Sequence, residues 1–246
     1  MTHLGVITLL PEMFDALHYG IVGRAIKSSL VNLSLWNPRD WTTGVHHQVD
    51  DKPYGGGPGM VMMYQPLADT ISHARESMPA DCRTIFLSPQ GRRINQRDLN
   101  KIVDEQSSLL FLTGRYEGID ERLIEAHIDE EWSLGDFVLS GGEFAAMAFI
   151  DAIVRLVPGA LGDVNSATQD SFMNGLLDFP HYTRPEKIED KSVPSVLLSG
   201  NHQAIERWRR KQSLGRTWLK RPDLLNQLEL NELDKQLLNE FKNEKE

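Results

Sequence analysis

Three short polar segments carry the residues best placed for chemistry. Pro89-Gln90-Gly91 follows the apolar run TIFLS (84–88), and Gly114-Arg115-Tyr116-Glu117-Gly118 follows LLFLT (109–113). Ser140-Gly141-Gly142-Glu143 follows the strand-like run Phe137-Val138-Leu139, with Ser133-Leu134-Gly135 just upstream. Glycine permits positive φ and close approach to the backbone. In open α/β sheets, ligands sit beyond the carboxyl ends of strands. Three such loops side by side could cup one small molecule with main-chain N–H and C=O groups. The simpler alternative is that each glycine only serves a tight turn. None of the loops has the dinucleotide or P-loop spacing. A fourth cluster, DKPYGGGPGM (51–60), has no evident strand before it and reads as a loop beside a site.

A second constellation is basic. Residues 207–221, RWRRKQSLGRTWLKR, hold seven Lys/Arg and no acid, with Trp208 and Trp218 interleaved. Cations with aromatics suit phosphate backbones and stacked bases. The alternative is a solvated amphipathic helix whose tryptophans pack inward. The overall charge of −9 disfavours a nucleic-acid partner, but net charge hides local patches.

Other chemistry is excluded or weak. A single cysteine, Cys82, leaves no disulfide framework and no cysteine-built zinc site, and fits a reducing compartment. His46-His47 beside Asp50-Asp51 fits no zinc spacing and reads as a solvated loop. MTHLGVITLLPEMF has no basic start and is cut by Pro11, so it does not read as a signal peptide. No apolar run reaches membrane-spanning length, and a cytoplasmic protein is expected.

The elements that must hold these residues follow from periodicity. LGVITLL (4–10), VNLSLWN (31–37), TIFLS and LLFLT read as strands, and residues 95–107 as a polar helix. The pattern after Glu143 is helical and apolar to Val157. This alternation predicts an α/β layer with a largely parallel sheet over 1–159. Residues 160–175 are small and polar, and read as a flexible linker. Residues 176–246 form a mainly helical domain after a Pro-rich entry, FPHYTRPEKIED. Its last helix has Leu230-Asn231 as staple and N-cap and a stripe of Leu233, Leu237, Leu238 and Phe241.

The motifs TGRYEGIDER, EWSLGDFVLSGGE, YGGGPGM, WNPRD, DSFMNGLLDFPHYTRP and RWRRKQSLGRTWLKRP occur in order along nearly the whole chain. Together they resemble the bacterial tRNA (guanine-N1)-methyltransferases of the SPOUT superfamily. The resemblance implies a deep trefoil knot in the α/β domain, a homodimer, and methylation of the guanosine at tRNA position 37. It implies S-adenosylmethionine held by Leu87, Ser88, Pro89, Gly114, Tyr116, Glu117, Gly118, Ser133, Leu134, Gly135, Phe137, Leu139, Gly141 and Gly142. On it, Gly141 and Gly142 let the backbone close around that donor.

It also implies Asp170 as general base, Arg155 as charge stabiliser or orienter, and a magnesium-assisted reaction, although no loop reads as a magnesium cage. From spacing alone, Arg155 would be an i,i+4 partner of Asp151 and Asp170 a linker aspartate. Arg184, Arg207, Trp208, Arg209, Arg210, Lys211, Arg216 and Lys220 are the candidate RNA contacts. The chain departs from the family pattern at Phe137, Ala145 and Phe179, where Tyr, Pro and Cys are usual. A noncatalytic RNA-binding protein of the same fold, and a knotted methyltransferase for another RNA position, are the alternatives.

Overall fold

The computed structural model describes residues 1–162 and 169–245. Residues 163–168 of the expected linker lie outside the described residues. By their internal contacts the residues group into two compact units, Met1–Val164 and Asn165–Glu246.

The first unit is built on a five-stranded sheet. Its strands are β1 (Thr2–Ile7), β2 (Val31–Trp36), β5 (Arg83–Arg93), β6 (Leu109–Thr113) and β7 (Glu130–Ser133), in the order β2-β1-β6-β5-β7. Every neighbouring pair is parallel. A short antiparallel pair, β3 (Asp50–Asp51) and β4 (Val61–Met62), brackets the glycine-rich loop. The helices are α1 (Gly20–Lys27), α2 (Tyr64–Ser77), α3 (Gln96–Asp104), α4 (Glu121–His127) and α5 (Glu143–Val154).

Strand β6 explains the layering. All five residues of LLFLT are buried, because a central parallel strand is covered on both faces. Leu109 and Phe111 point to one core with Phe149, Ile150 and Trp132, while Leu110 and Leu112 point to the other with Leu67, Ile71 and Leu123. Phe111 stacks on Phe149 at 6.4 Å, and Trp132 meets Phe149 edge-on at 5.6 Å. Asn95 and Asp98 form a reciprocal capping box that starts α3.

Two details differ from the sequence reading. Phe137, Val138 and Leu139 form no strand and are exposed; Glu130–Ser133 takes the edge position instead. Trp132, 2% exposed, fixes that choice through its aromatic contacts, whereas FVL is too short between Gly135 and Ser140 to add a strand. Strand β5 also does not stop at Ser88. It bulges, so that Leu87 and Arg92 both pair with Trp132. Pro89 has no N–H for the ladder. Gly91 lies so close to β7 that an added Cβ would sit 2.5 Å from the Glu131 carbonyl carbon.

The second unit is mainly helical. Helices His202–Lys220 and Glu232–Asn243 pack on a small core of Leu176, Leu214, Leu237 and Leu238. The side chain of Asn231 caps the latter helix, accepting from Asp234 N at 2.8 Å. Among the described residues no helix is long and apolar enough to cross a membrane.

Candidate active site

The bulge within β5 and the loops after β6 and β7 surround one cavity of about 390 Å³. All fourteen residues expected to hold the donor line it, from Leu87 in the β5 bulge to Gly142 at the start of α5. Its volume falls in the range of small-molecule sites, roughly 300–1,000 Å³. Leu87, Leu134 and Leu139 give apolar walls, main chain at the glycines gives polar edges, and Glu117 and Glu121 bring carboxylates. This set fits a nucleoside-sized ligand carrying a positive charge.

The β6 loop owes its shape to two unusual backbones. Tyr116 has φ +60° and Gly118 has φ +135°. The glycine-rich loop braces it: Glu117 N donates to Met60 O and Met62 N to Gly118 O, each at 2.9 Å. Gly59 is favoured there by its φ of +81°, and its missing Cβ leaves room for the Glu117 side chain.

Gly141 and Gly142 line the cavity and also lie tightly against other parts of the protein. Gly142 has φ −78°, and neither glycine has positive φ. A Cβ on Gly142 would sit 2.9 Å from Thr113 Cα, and one on Gly141 would sit 2.5 Å from both Arg115 Nε and Glu143 Oε2. The close neighbour is therefore protein: the 135–142 segment crosses tightly over the end of β6, tied by Gly142 N to Gly114 O at 3.0 Å. The cavity wall exists because this crossing is possible.

Under the crossing lies a buried carboxylate. Glu143 is 0% exposed. Its Oε1 accepts from Thr8 Oγ1 at 3.1 Å and Arg115 Nε at 3.1 Å. Its Oε2 faces Arg115 Nη2 at 3.1 Å as an ion pair without hydrogen-bond alignment. Arg115 Nη1 also reaches Ser140 O at 3.3 Å. One arginine thus joins the loop after β6 to the loop before α5. The sequence reading missed Arg115 and Glu143 as a pair, though a charged residue opening an apolar helix was the available signal.

Arg155 caps the C-terminus of α5 and is half-buried. Among the described residues no ion pair joins it to Asp151. Asp170 belongs to the second unit, half-buried in a turn whose Asp170 O accepts from Met173 N at 3.3 Å.

The basic stretch lies on helix His202–Lys220, and much of its charge is met within the unit. Arg207 pairs with Glu240 at 2.6 Å, Arg210 grips Asp234 with two bonds at 2.8 and 2.7 Å, and Lys211 pairs with Glu244 at 2.5 Å. Arg209 lies over the Phe179 ring at 4.7 Å. Trp208 sits 6.3 Å from Tyr182, while Trp218 packs on the leucine core beneath Lys242. Arg184, Arg216 and Lys220 form no ion pair among the described residues.

His47 is engaged in its own loop, with Nδ1 3.0 Å from Thr42 Oγ1 and its carbonyl bound by Arg39 Nη1 at 3.0 Å. Among the described residues no group of three or more His, Cys, Asp or Glu is arranged to hold a metal ion.

A family model described as tRNA (Guanine-1)-methyltransferase TrmD matches residues 2–227. The chain is 68% identical over 240 residues to a tRNA (guanine-N(1)-)-methyltransferase of Legionella pneumophila (strain Paris), covering 98% of this chain and 96% of that protein. It is 58% identical over 238 residues to one of Coxiella burnetii (strain Dugway 5J108-111), covering 97% and 96%. A third, of Vibrio atlanticus (strain LGP32), is 56% identical over 239 residues, covering 97% of both.

Proposed function

The chain belongs to the tRNA (guanine-1)-methyltransferase family, and on that premise we propose that it moves the methyl group of S-adenosylmethionine to N1 of the guanosine at tRNA position 37. Membership brings a knotted α/β domain followed by a helical C-terminal unit. The observation that carries the reading is the convergence of all fourteen expected donor-holding residues on one cavity.

S-adenosylmethionine, when bound, supplies a methyl activated by its sulfonium and departing from a neutral thioether. What the protein must add is a nucleophile, because guanine N1 is protonated at neutral pH. Asp170 accepts the N1 proton as the N1–CH₃ bond forms and the S–CH₃ bond breaks. Arg155 stabilises negative charge developing at guanine O6, or orients the aspartate. The main chain of the three loops holds the methyl in line, where small misplacements cost large factors in rate. Arg184, Trp208, Arg216 and Lys220 meet the RNA. Arg207, Arg209, Arg210 and Lys211 support the same face while held by their intramolecular partners. Magnesium has no assigned place in this scheme.

The reading also includes a homodimer acting in the cytoplasm. Phe137, Val138 and Phe144 are 53%, 86% and 52% exposed beside the crossing, an apolar surface that a second copy would cover. A solution mass of one chain would remove the dimer from the scheme. The activity itself is tested with labelled S-adenosylmethionine and two transcripts, one with guanosine 37 and one with another base there. Label should enter only the first. Label in neither would favour a noncatalytic RNA-binding protein, and label in both another target position.

A further inference from the structure

The turn that carries Asp170 is fastened to the helix that carries the basic residues. Thr217, 0% exposed on helix His202–Lys220, accepts a hydrogen bond from Leu177 N at 2.9 Å and donates one to Ser213 O at 2.7 Å. The second bond is the ordinary i−4 habit of a helical threonine. The first is not: it reaches 40 residues back in sequence, to the end of the turn. Leu176, beside it, is 4% exposed against Leu214.

Within the turn, Phe172 N donates to Leu176 O at 2.7 Å and Gly175 N to Phe172 O at 3.2 Å. Asp178 N donates to Ser171 Oγ at 3.0 Å and closes the neck. Gly175 has φ +74°, and a Cβ there would strike the Leu228 side chain at 2.6 Å. Residues 170–178 are thus a small folded loop with one buried side-chain anchor on the helix. Arg216 and Lys220, whose charges have no intramolecular ion pair among the described residues, flank that anchor at one residue and three residues away.

We propose that Thr217 is a positioning residue for methyl transfer: through Leu177 N–H it sets the register of the turn that presents Asp170, so RNA held on this helix and the base are placed by one rigid piece. The inference rests on Asp170 being the base. It demands a particular split. Losing the Thr217 acceptor frees Leu177 N–H and lets the turn slip, which moves the carboxylate but leaves the helix's outer face unchanged.

The test compares Thr217→Val, Thr217→Ser, Ser171→Ala and Asp170→Ala in the full-length protein. Single-turnover methyl transfer is measured at saturating tRNA and S-adenosylmethionine, beside equilibrium binding of each and exchange of the Leu177 amide. Thr217→Val should slow transfer by roughly 10- to 100-fold, the scale of a misplaced reacting group, with both dissociation constants unchanged and faster Leu177 exchange. Thr217→Ser keeps the oxygen and should retain the wild-type rate. Ser171→Ala opens the neck without touching the helix core and should repeat the split, which covers the case where Thr217→Val does not fold.

Normal rates in both Thr217→Val and Ser171→Ala, beside an inactive Asp170→Ala, would overturn this inference alone. A loss confined to tRNA affinity would do the same. A fully active Asp170→Ala would overturn the base assignment and this inference with it.

Discussion

The two units place their functional groups by opposite means. In the first, main chain edges a cavity walled by leucines, and glycines around it make room for other protein: Gly142 for Thr113, Gly91 for the carbonyl of Glu131, Gly59 for Glu117. In the second, the functional surface is side chain, and much of its charge is already answered by carboxylates of the last helix. The contrast teaches that a small-molecule cavity can be rigid because its backbone segments interlock. On the proposed reading, the surface that meets RNA is instead set by which cations are left over.

The sharpest way to break this contrast is a side chain at the crossing. Gly142→Val puts carbon against the Thr113 backbone, which cannot yield as a flexible side chain would. Donor affinity measured by calorimetry should fall about 100-fold or more, because overpacking of ~1–3 kcal/mol adds to loss of the wall itself. Unchanged affinity would show that the crossing does not shape the cavity.

Next in size is the buried pair. Arg115→Ala leaves Glu143 charged at 0% exposure without its partner. The expected loss is about 3–5 kcal/mol of stability, read from chemical denaturation. Arg210→Ala in the second unit offers the matching experiment, since Asp234 is 5% exposed and held by Arg210 Nε and Nη2.

Smaller effects should follow at the leftover cations. Arg216→Ala with Lys220→Ala should weaken tRNA binding and lower the salt slope by about 1–2, with donor affinity unchanged. The same double change at Arg207 and Lys211, whose charges are paired with Glu240 and Glu244, should alter the slope less. Equal slopes would mean that intramolecular pairing does not decide which cations meet RNA. The least effect is expected at Cys82, whose thiol burial pushes up to about 11. Alkylation should be slow at pH 7, rise with pH toward that value, and leave transfer intact.

Much of the fold was legible because its signals are local. LLFLT read as a strand and residues 95–107 as a helix, and they became β6 and α3 (Gln96–Asp104). The fourteen cavity residues were legible through long motifs. What stayed hidden depends on contacts distant in sequence. Phe137-Val138-Leu139 looked like a strand because three apolar residues carry no information about who holds the sheet edge. That place went to Glu130–Ser133 through Trp132 packing on Phe111 and Phe149. Gly141-Gly142 suggested positive φ and a ligand, and only the position of Thr113 reveals the crossing. The basic run looked uniform, yet the carboxylates that divide it lie 24 and 33 residues further on.

A crystal structure of the protein with S-adenosylmethionine tests the central claim most directly. The account predicts the ligand between the β5 bulge, the turn at Tyr116–Gly118 and the crossing at Gly141-Gly142, contacting mainly main chain. Ligand density outside this cavity would contradict it.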